Sequence, residues 1–307
     1  MALDTAAANV ILRTLTKTFD TSIRTASPFY PRIANVIPSD GSDEAYGMLG
    51  GMPGMREWLG DRQFKQLRSG TFTIANKLFE SSLLIEKTNL ADDRKNLYNM
   101  PMEQLGAEAA YHPDELLFEA FVLGETVPCF DGQYFFDTDH SWGDSGTQSN
   151  DLTYAAATGT VPTAAEFRAA YNAAYAAMLA FKGDNGKSFF RPTQAQQVIR
   201  PLVLVPPALL PIATDGLTAR NDANNNPVTV LGNPELVPIT YLTDATKFYV
   251  LNVAATIKPM IFQAREPLSR QMKGLDDIET KDVKFMTQAR YNVGTYAWWN
   301  AVLTTFT

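Results

Sequence analysis

From Ala26 to Pro53 the sequence holds no period on which a core could be built. Pro28, Pro31, Pro38 and the run GMLGGMPG (47–54) interrupt every candidate helix or strand. A stretch this long that cannot bury itself is either without fixed structure or laid against another surface, and it reads as an extended arm. The next segments add to the constraint. MREWLGDRQFKQL (55–67) suits a short helix. In GTFTIANKLFESSLLIEKTNL (70–90), Phe79, Ser81, Leu83 and Ile85 share one face, and Glu80, Ser82, Leu84 and Glu86 share the other. With Phe72 and Ile74 ahead of them, these residues predict a two-stranded ribbon. Such a ribbon is marginal alone and needs a surface to lie on.

The rest of the chain patterns as ordinary globular protein. Ala8, Ile11, Leu12, Leu15 and Phe19 fall at helical spacing, so Thr5 to Phe19 predicts an amphipathic helix. Met102, Leu105 and Ala109 form a stripe over 100–111, and HPDELLFEAFVLG (112–124) is apolar nearly all round. Pro113 suits a first helical turn, with Asp114 and Glu115 at its positive end and His112 capping, so the region is either two helices or one kinked at Pro113. Thr163 and Glu166 have capping-box spacing ahead of a stripe of Phe167, Tyr171, Ala174, Met178 and Phe181. VIRPLVLVPPAL (198–209) predicts a buried strand ending at a proline pair. ARNDANNNP (219–227) predicts an exposed loop tip, and 246–266 and 283–294 predict strands. In 283–294, Phe285, Ala289, Tyr291 and Val293 share a face. TYAWWNAVLTTF should be buried. No repeat of 20–50 residues is present.

Composition then limits the function classes. At 307 residues the chain exceeds the size of most single cores, so two domains, or one with extensions, are expected. Hydrophobic residues at 45% and aromatics at 11% place it among globular chains. A net charge of -7 argues against nucleic-acid binding through bulk charge. One cysteine excludes an internal disulfide framework. Asp4 stands where a signal peptide needs positive charge, and the longest apolar run (201–214) is too short and too proline-broken to span a bilayer, so an intracellular product is expected.

Chemistry-bearing residues concentrate in CFDGQYFFDTDHSWGDSG (129–146). Ser145 within GDSG would need a histidine base and an orienting group; only His112 and His140 exist, and the nucleophile-elbow pattern is not met. Asp137, Asp139 and His140 could ligate a metal. As a calcium loop from Asp137, however, Trp142 takes the glycine position and Gln148 the glutamate position. A loop from Asp222 fails likewise at Pro227 and Asn233. GKS (186–188) lacks the phosphate-loop glycine five residues earlier, where Phe181 stands. Cys129 has no basic neighbour to lower its pKa and predicts a packed thiol. No catalytic constellation, cofactor site or metal site follows.

Five segments, in order, resemble a known family: MREWLGDR (55–62), NKLFESSLLIEKTNLADDR (76–94), HPDELLFEAFVLGE (112–125), CFDGQYFFDTDH (129–140) and ARYNVGTYAWW (289–299). The chain is similar to the Mu-like prophage major head subunit family, the major capsid proteins of tailed phages and related prophages, over roughly Glu44 to Trp299. The resemblance implies an α+β, HK97-like major capsid fold. It would have an N-terminal arm (1–54), a peripheral domain (55–67 and 91–160) with a spine helix over 101–123, an extended hairpin or E-loop (68–90), an axial domain (161–250) and return strands (251–307). Pro113 departs from an uninterrupted spine. The resemblance also implies a structural protein, not an enzyme. Copies would assemble into pentameric and hexameric capsomers of an icosahedral virion capsid in the host bacterial cytoplasm, enclosing double-stranded DNA without sequence specificity. Its implied partners are a separate scaffold, a maturation protease, a portal and decoration proteins, with no membrane. DTDH (137–140) would be a shell-protein landmark. The rival readings are a non-viral compartment shell of the same fold and a hydrolase using Ser145, His140 and an aspartate.

Overall fold

The computed structural model describes residues 5–49, 69–86, 97–190, 200–221, 224–273 and 282–307. Helix α1 (Thr5–Thr25) buries Leu12, Leu15 and Phe19, the stripe expected from spacing. These side chains meet Met102, Ile85, Val283 and Phe285 in a small separate core, with Phe19 edge-on to Phe285 at 5.1 Å.

The proline-rich stretch that follows is, over 26–49, laid against the rest of the fold, one of the two expected alternatives, but it carries regular structure where little was expected. Helix α2 (Tyr30–Ile33) leads into β1 (Ala34–Pro38), which pairs in parallel with β9 (Met260–Lys273), Ala34 opposite Met260. Pro31 lies in the first turn of α2, where a missing N–H costs nothing, and Pro38 ends an edge strand, where no ladder donor is required. The prolines therefore punctuate structure here and do not prevent it.

The ribbon expected over 70–90 is also redistributed. β2 (Asp43–Leu49) pairs antiparallel with β3 (Ser69–Ala75), whereas β4 (Lys77–Glu86) pairs antiparallel with β10 (Asp282–Thr295). Asn76 separates the two strands. Its N–H donates to the Ser42 carbonyl at 2.8 Å, and its side-chain amide donates to the Ser39 hydroxyl and the Gly41 carbonyl. The faces of β4 follow the predicted alternation, with Ile85 buried and Leu84 exposed. Period 2 assigns faces but not partners. The short helix expected at 55–67 lies outside the described residues.

Helix α3 (Asn99–Val122) runs unbroken through Pro113. Two separate helices are thereby excluded, at the cost of the hydrogen bond that residue 113 would have made to the Ala109 carbonyl. Asp114 and Glu115 thus sit in mid-helix and not in a first turn. The Asp114 carboxylate instead receives the N–H groups of Phe29 and Tyr30, at 2.8 and 2.6 Å, at the start of α2. His112 caps nothing: its Nδ1 lies 2.7 Å from the Tyr291 hydroxyl.

Two main sheets carry the fold. The first has the order β1–β9–β10–β4. The second has the order β5 (Asp151–Tyr154), β11 (Ala301–Phe306), β8 (Lys247–Leu251), β6 (Leu202–Val205) and β7 (Glu235–Pro238). The apolar run over 246–266 thus divides between two sheets. Helix α4 (Ala164–Ala180) has the predicted capping box, with the Thr163 N–H donating to Glu166 at 2.7 Å and the Glu166 N–H to Thr163 Oγ1 at 3.3 Å. Its whole predicted stripe is buried, and α5 (Leu210–Thr218) packs beside it. The main core is continuous from Leu117, Phe118 and Phe121 on α3 to Tyr249, Trp298 and Phe306.

Candidate functional site

The loops over 127–150 gather the residues that chemistry would need, and their geometry decides among the readings. Ser145 Oγ accepts the Trp142 N–H and donates to the Gly146 carbonyl, both at 2.9 Å. Both bonds close a turn. His140 faces elsewhere: its Nδ1 lies 2.7 Å from Asp131 Oδ2 and its Nε2 lies 3.1 Å from Asn150 Oδ1. The hydrolase reading fails on this geometry, because the serine has no base.

His140, Asp131 and Asn150 form a closed node. The His140 and Asp131 side chains are fully buried, and the imidazole stacks on Trp298 at 4.0 Å with planes 7° apart. Asn150 Oδ1 also accepts the Asp137 N–H at 2.9 Å, so the amide orientation is fixed. Its Nδ2 donates to the carbonyls of Phe135, Trp298 and Ala301. Both ring nitrogens of His140 therefore have an oxygen partner, and Nε2 carries the proton that the Asn150 oxygen accepts. The node ties residues 131–150 to the start of β11. It has no opening for a substrate.

The candidate ligands Asp137, Asp139 and His140 do not form a metal site. His140 turns inward to Asp131, whereas Asp139 is exposed, and the described residues contain no group of three or more ligand-type side chains placed to hold a metal ion. Asp137 takes the N–H groups of Thr138 and Tyr134. In the 219–227 loop, Asp222 lies outside the described residues. GKS belongs to a turn whose amides are committed: Gly186 N–H donates to Gly183 and Gly183 N–H to Lys187. That turn backs onto GDSG. Asp144 N–H donates to the Asp184 carbonyl at 2.8 Å, and a side chain at Gly143 (φ +63°) would come within 2.5 Å of that oxygen. Cys129 is buried against the Tyr296 carbonyl; burial, and then the charge of Asp131, push its thiol well up, which makes it inert.

The surface offers more than the interior. Among the described residues β4 has a strand neighbour on one side only, β10. Leu78 and Leu84 on it are 64% and 55% exposed. A free, partly apolar sheet edge is a template for another chain, here tempered by Lys77, Glu80 and Glu86. No helix among the described residues is long and apolar enough to cross a membrane. Sequence reasoning missed Asn150, an unremarkable polar residue whose role exists only through residues 135, 298 and 301.

Comparison with known proteins agrees with this picture of a scaffold. Residues 8–165 match the family described as Mu-like prophage major head subunit gpT. The chain is 39% identical over 127 residues to the Mu-like prophage FluMu major head subunit of Haemophilus influenzae, covering 41% of each chain. It is 35% identical over 140 residues to the major capsid protein of Escherichia phage Mu, covering 46% of each. These alignments span less than half the length of the curated relatives. Among solved structures, the procapsid of bacteriophage JBD30 superposes with a TM-score of 0.57 at 24% identity, covering 99% of this chain and 76% of that one. The mature capsid of bacteriophage PhiM1 superposes at 0.64 with 11% identity, covering 92% and 88%. The fold is therefore α+β and HK97-like, and, with just over half of its 307 residues matched, the chain belongs to the Mu-like prophage major head subunit gpT family.

Proposed function

We propose that the protein is the major capsid subunit of a Mu-like tailed phage or prophage, assembling through copies of itself into pentamers and hexamers of an icosahedral shell around double-stranded DNA. The observation that carries this reading is the family match over 8–165 joined to a capsid-type fold along the whole chain. The free β4 edge supports it, and the turn-closing role of Ser145 speaks against an enzyme. The shell forms in the host cytoplasm with a separate scaffold, maturation protease and portal, and decoration proteins bind it later. An arm over 1–54, a peripheral domain over 55–67 and 91–160, an axial domain over 161–250 and return strands over 251–307 serve that assembly. On this reading the extended hairpin, expected over 68–90, is instead formed by strands 43–49 and 69–75, an assignment that the β2–β3 pairing supports. Negative-stain microscopy of the purified chain should show rings or closed particles. A monomer that stays monomeric across conditions, scaffold present or absent, overturns the proposal. Nuclease-protected DNA inside particles from infected cells distinguishes a genome container from a compartment for enzymes.

A further inference from the structure

A cavity of about 270 Å³ lies between α3 and the first sheet, beside the free edge of β4. One part of its wall is aromatic: Phe79 lies 4.5 Å from the His112 ring and 5.0 Å from Tyr291, and His112 is hydrogen-bonded to the Tyr291 hydroxyl. Another part is acidic, formed by Glu80, Glu108 and Glu115. Glu80 accepts a bond from Ser82, but among the described residues none of the three carboxylates is in an ion pair. Among the described residues no lysine or arginine lines the cavity, and α3 contains none along its length.

Carboxylates without a counter-charge beside aromatic faces favour a cation with an apolar stem. The volume falls below the roughly 300–1,000 Å³ of pockets that hold cofactor-sized ligands, and suits one side chain. Possible donors lie elsewhere on the surface: Arg13 and Lys17 are exposed on α1, with no ion pair among the described residues. An acidic socket and exposed cations at separate places on each copy are complementary in the head-to-tail sense that closes rings. We infer that this cavity is a socket for a lysine or arginine side chain of a second copy of the chain, engaged when that copy lies along the β4 edge. The inference rests on the self-assembly reading above and names a contact within it.

The test compares two isosteric double variants of the full chain by sedimentation and microscopy. Glu108→Gln with Glu115→Gln neutralises the socket; Glu103→Gln with Glu119→Gln removes the same charge from α3 outside it. The socket pair should lower particle yield about tenfold or more, and the control pair should stay within about twofold of the parent. Equal yields from the two pairs overturn the inference while leaving the capsid reading intact; a parent chain that forms no particles overturns both. Should the socket pair melt early, Glu80→Gln repeats the test from β4. Parent-like yield there overturns the socket, and a matching loss supports it.

Discussion

His140 has both ring nitrogens committed, and removing either partner strands a buried group. Asp131→Asn disrupts the bond that holds Nδ1 of a fully buried ring, where a stranded polar group costs about 1–3 kcal/mol, and more where charge is involved. Ser145→Ala removes one turn-closing hydroxyl, a change of about 1 kcal/mol. Urea unfolding of the unassembled chain should therefore rank Asp131→Asn well below Ser145→Ala; equal midpoints would show that the node is not the stronger tie. Asp114 gives a pH signature. Burial holds its carboxyl above the usual range, and the N–H bonds from Phe29 and Tyr30 offset part of that rise. A carboxyl raised on folding holds its proton longer in the folded chain than in the unfolded one. The stability it contributes is present below pH 3.8 and is lost as pH rises through the higher folded value. The stability of the parent minus that of Asp114→Asn should thus fall as pH is raised from 3.8 and level off towards neutrality. A difference that is flat, or that rises, in thermal melts across this range contradicts the assignment.

At the level of elements, the joint between α1 and α3 depends on Gly106. A Cβ there would lie 2.8 Å from the Phe19 carbonyl oxygen and 2.9 Å from Ser22 Cβ, while Ser22 Oγ donates to the Glu103 carbonyl at 2.7 Å. Alanine gains about 1 kcal/mol of helix propensity, but overpacking against backbone costs about 1–3 kcal/mol. Gly106→Ala should therefore loosen α1, seen as faster hydrogen exchange over 12–22 with α4 unchanged; unchanged exchange in α1 would refute the close approach. Elements governed by local rules were legible in the sequence: the capping box and stripe of α4, the α1 stripe, and the two faces of β4 and β10. Elements governed by distant partners were not. β1 finds its ladder on β9, more than two hundred residues away, and nothing within 26–53 announces it. The ribbon was misassigned because neighbouring strands were expected to pair, whereas Asn76 sends β3 and β4 to different sheets. In the node, His140 stood out as a residue type, but its partners Asp131, Asn150 and Trp298 are set by the fold.

On the scale of the whole molecule, the topology places residues 301–306 inside the second sheet, between β5 and β8. β11 pairs in parallel with β5, Leu303 opposite Asp151, and antiparallel with β8, Ala301 opposite Leu251. Ala301, Val302 and Leu303 are fully buried, and Asn150 bonds the Ala301 carbonyl. Two of the three parallel ladders among the described residues, β1–β9 and β5–β11, join residues more than a hundred and fifty positions apart; the third, β6–β7, is closer in sequence. Closing such loops must precede any gain from pairing, so formation of this sheet is slow and its core stays open until β11 docks. A chain cut after Asn300 loses the strand that joins β5 to β8, and Val302→Asp keeps the strand but buries a carboxylate between apolar neighbours. Both changes should abolish cooperative thermal unfolding and send the chain to aggregates before any particle forms. An exposed substitution on the β4 edge, Leu84→Ser, should instead leave the melt unchanged, since its side chain contributes little to the fold of one copy. A cut chain that melts cooperatively near the parent's temperature would mean that β11 merely lies against a sheet already complete without it, and would refute its role as the strand joining β5 to β8.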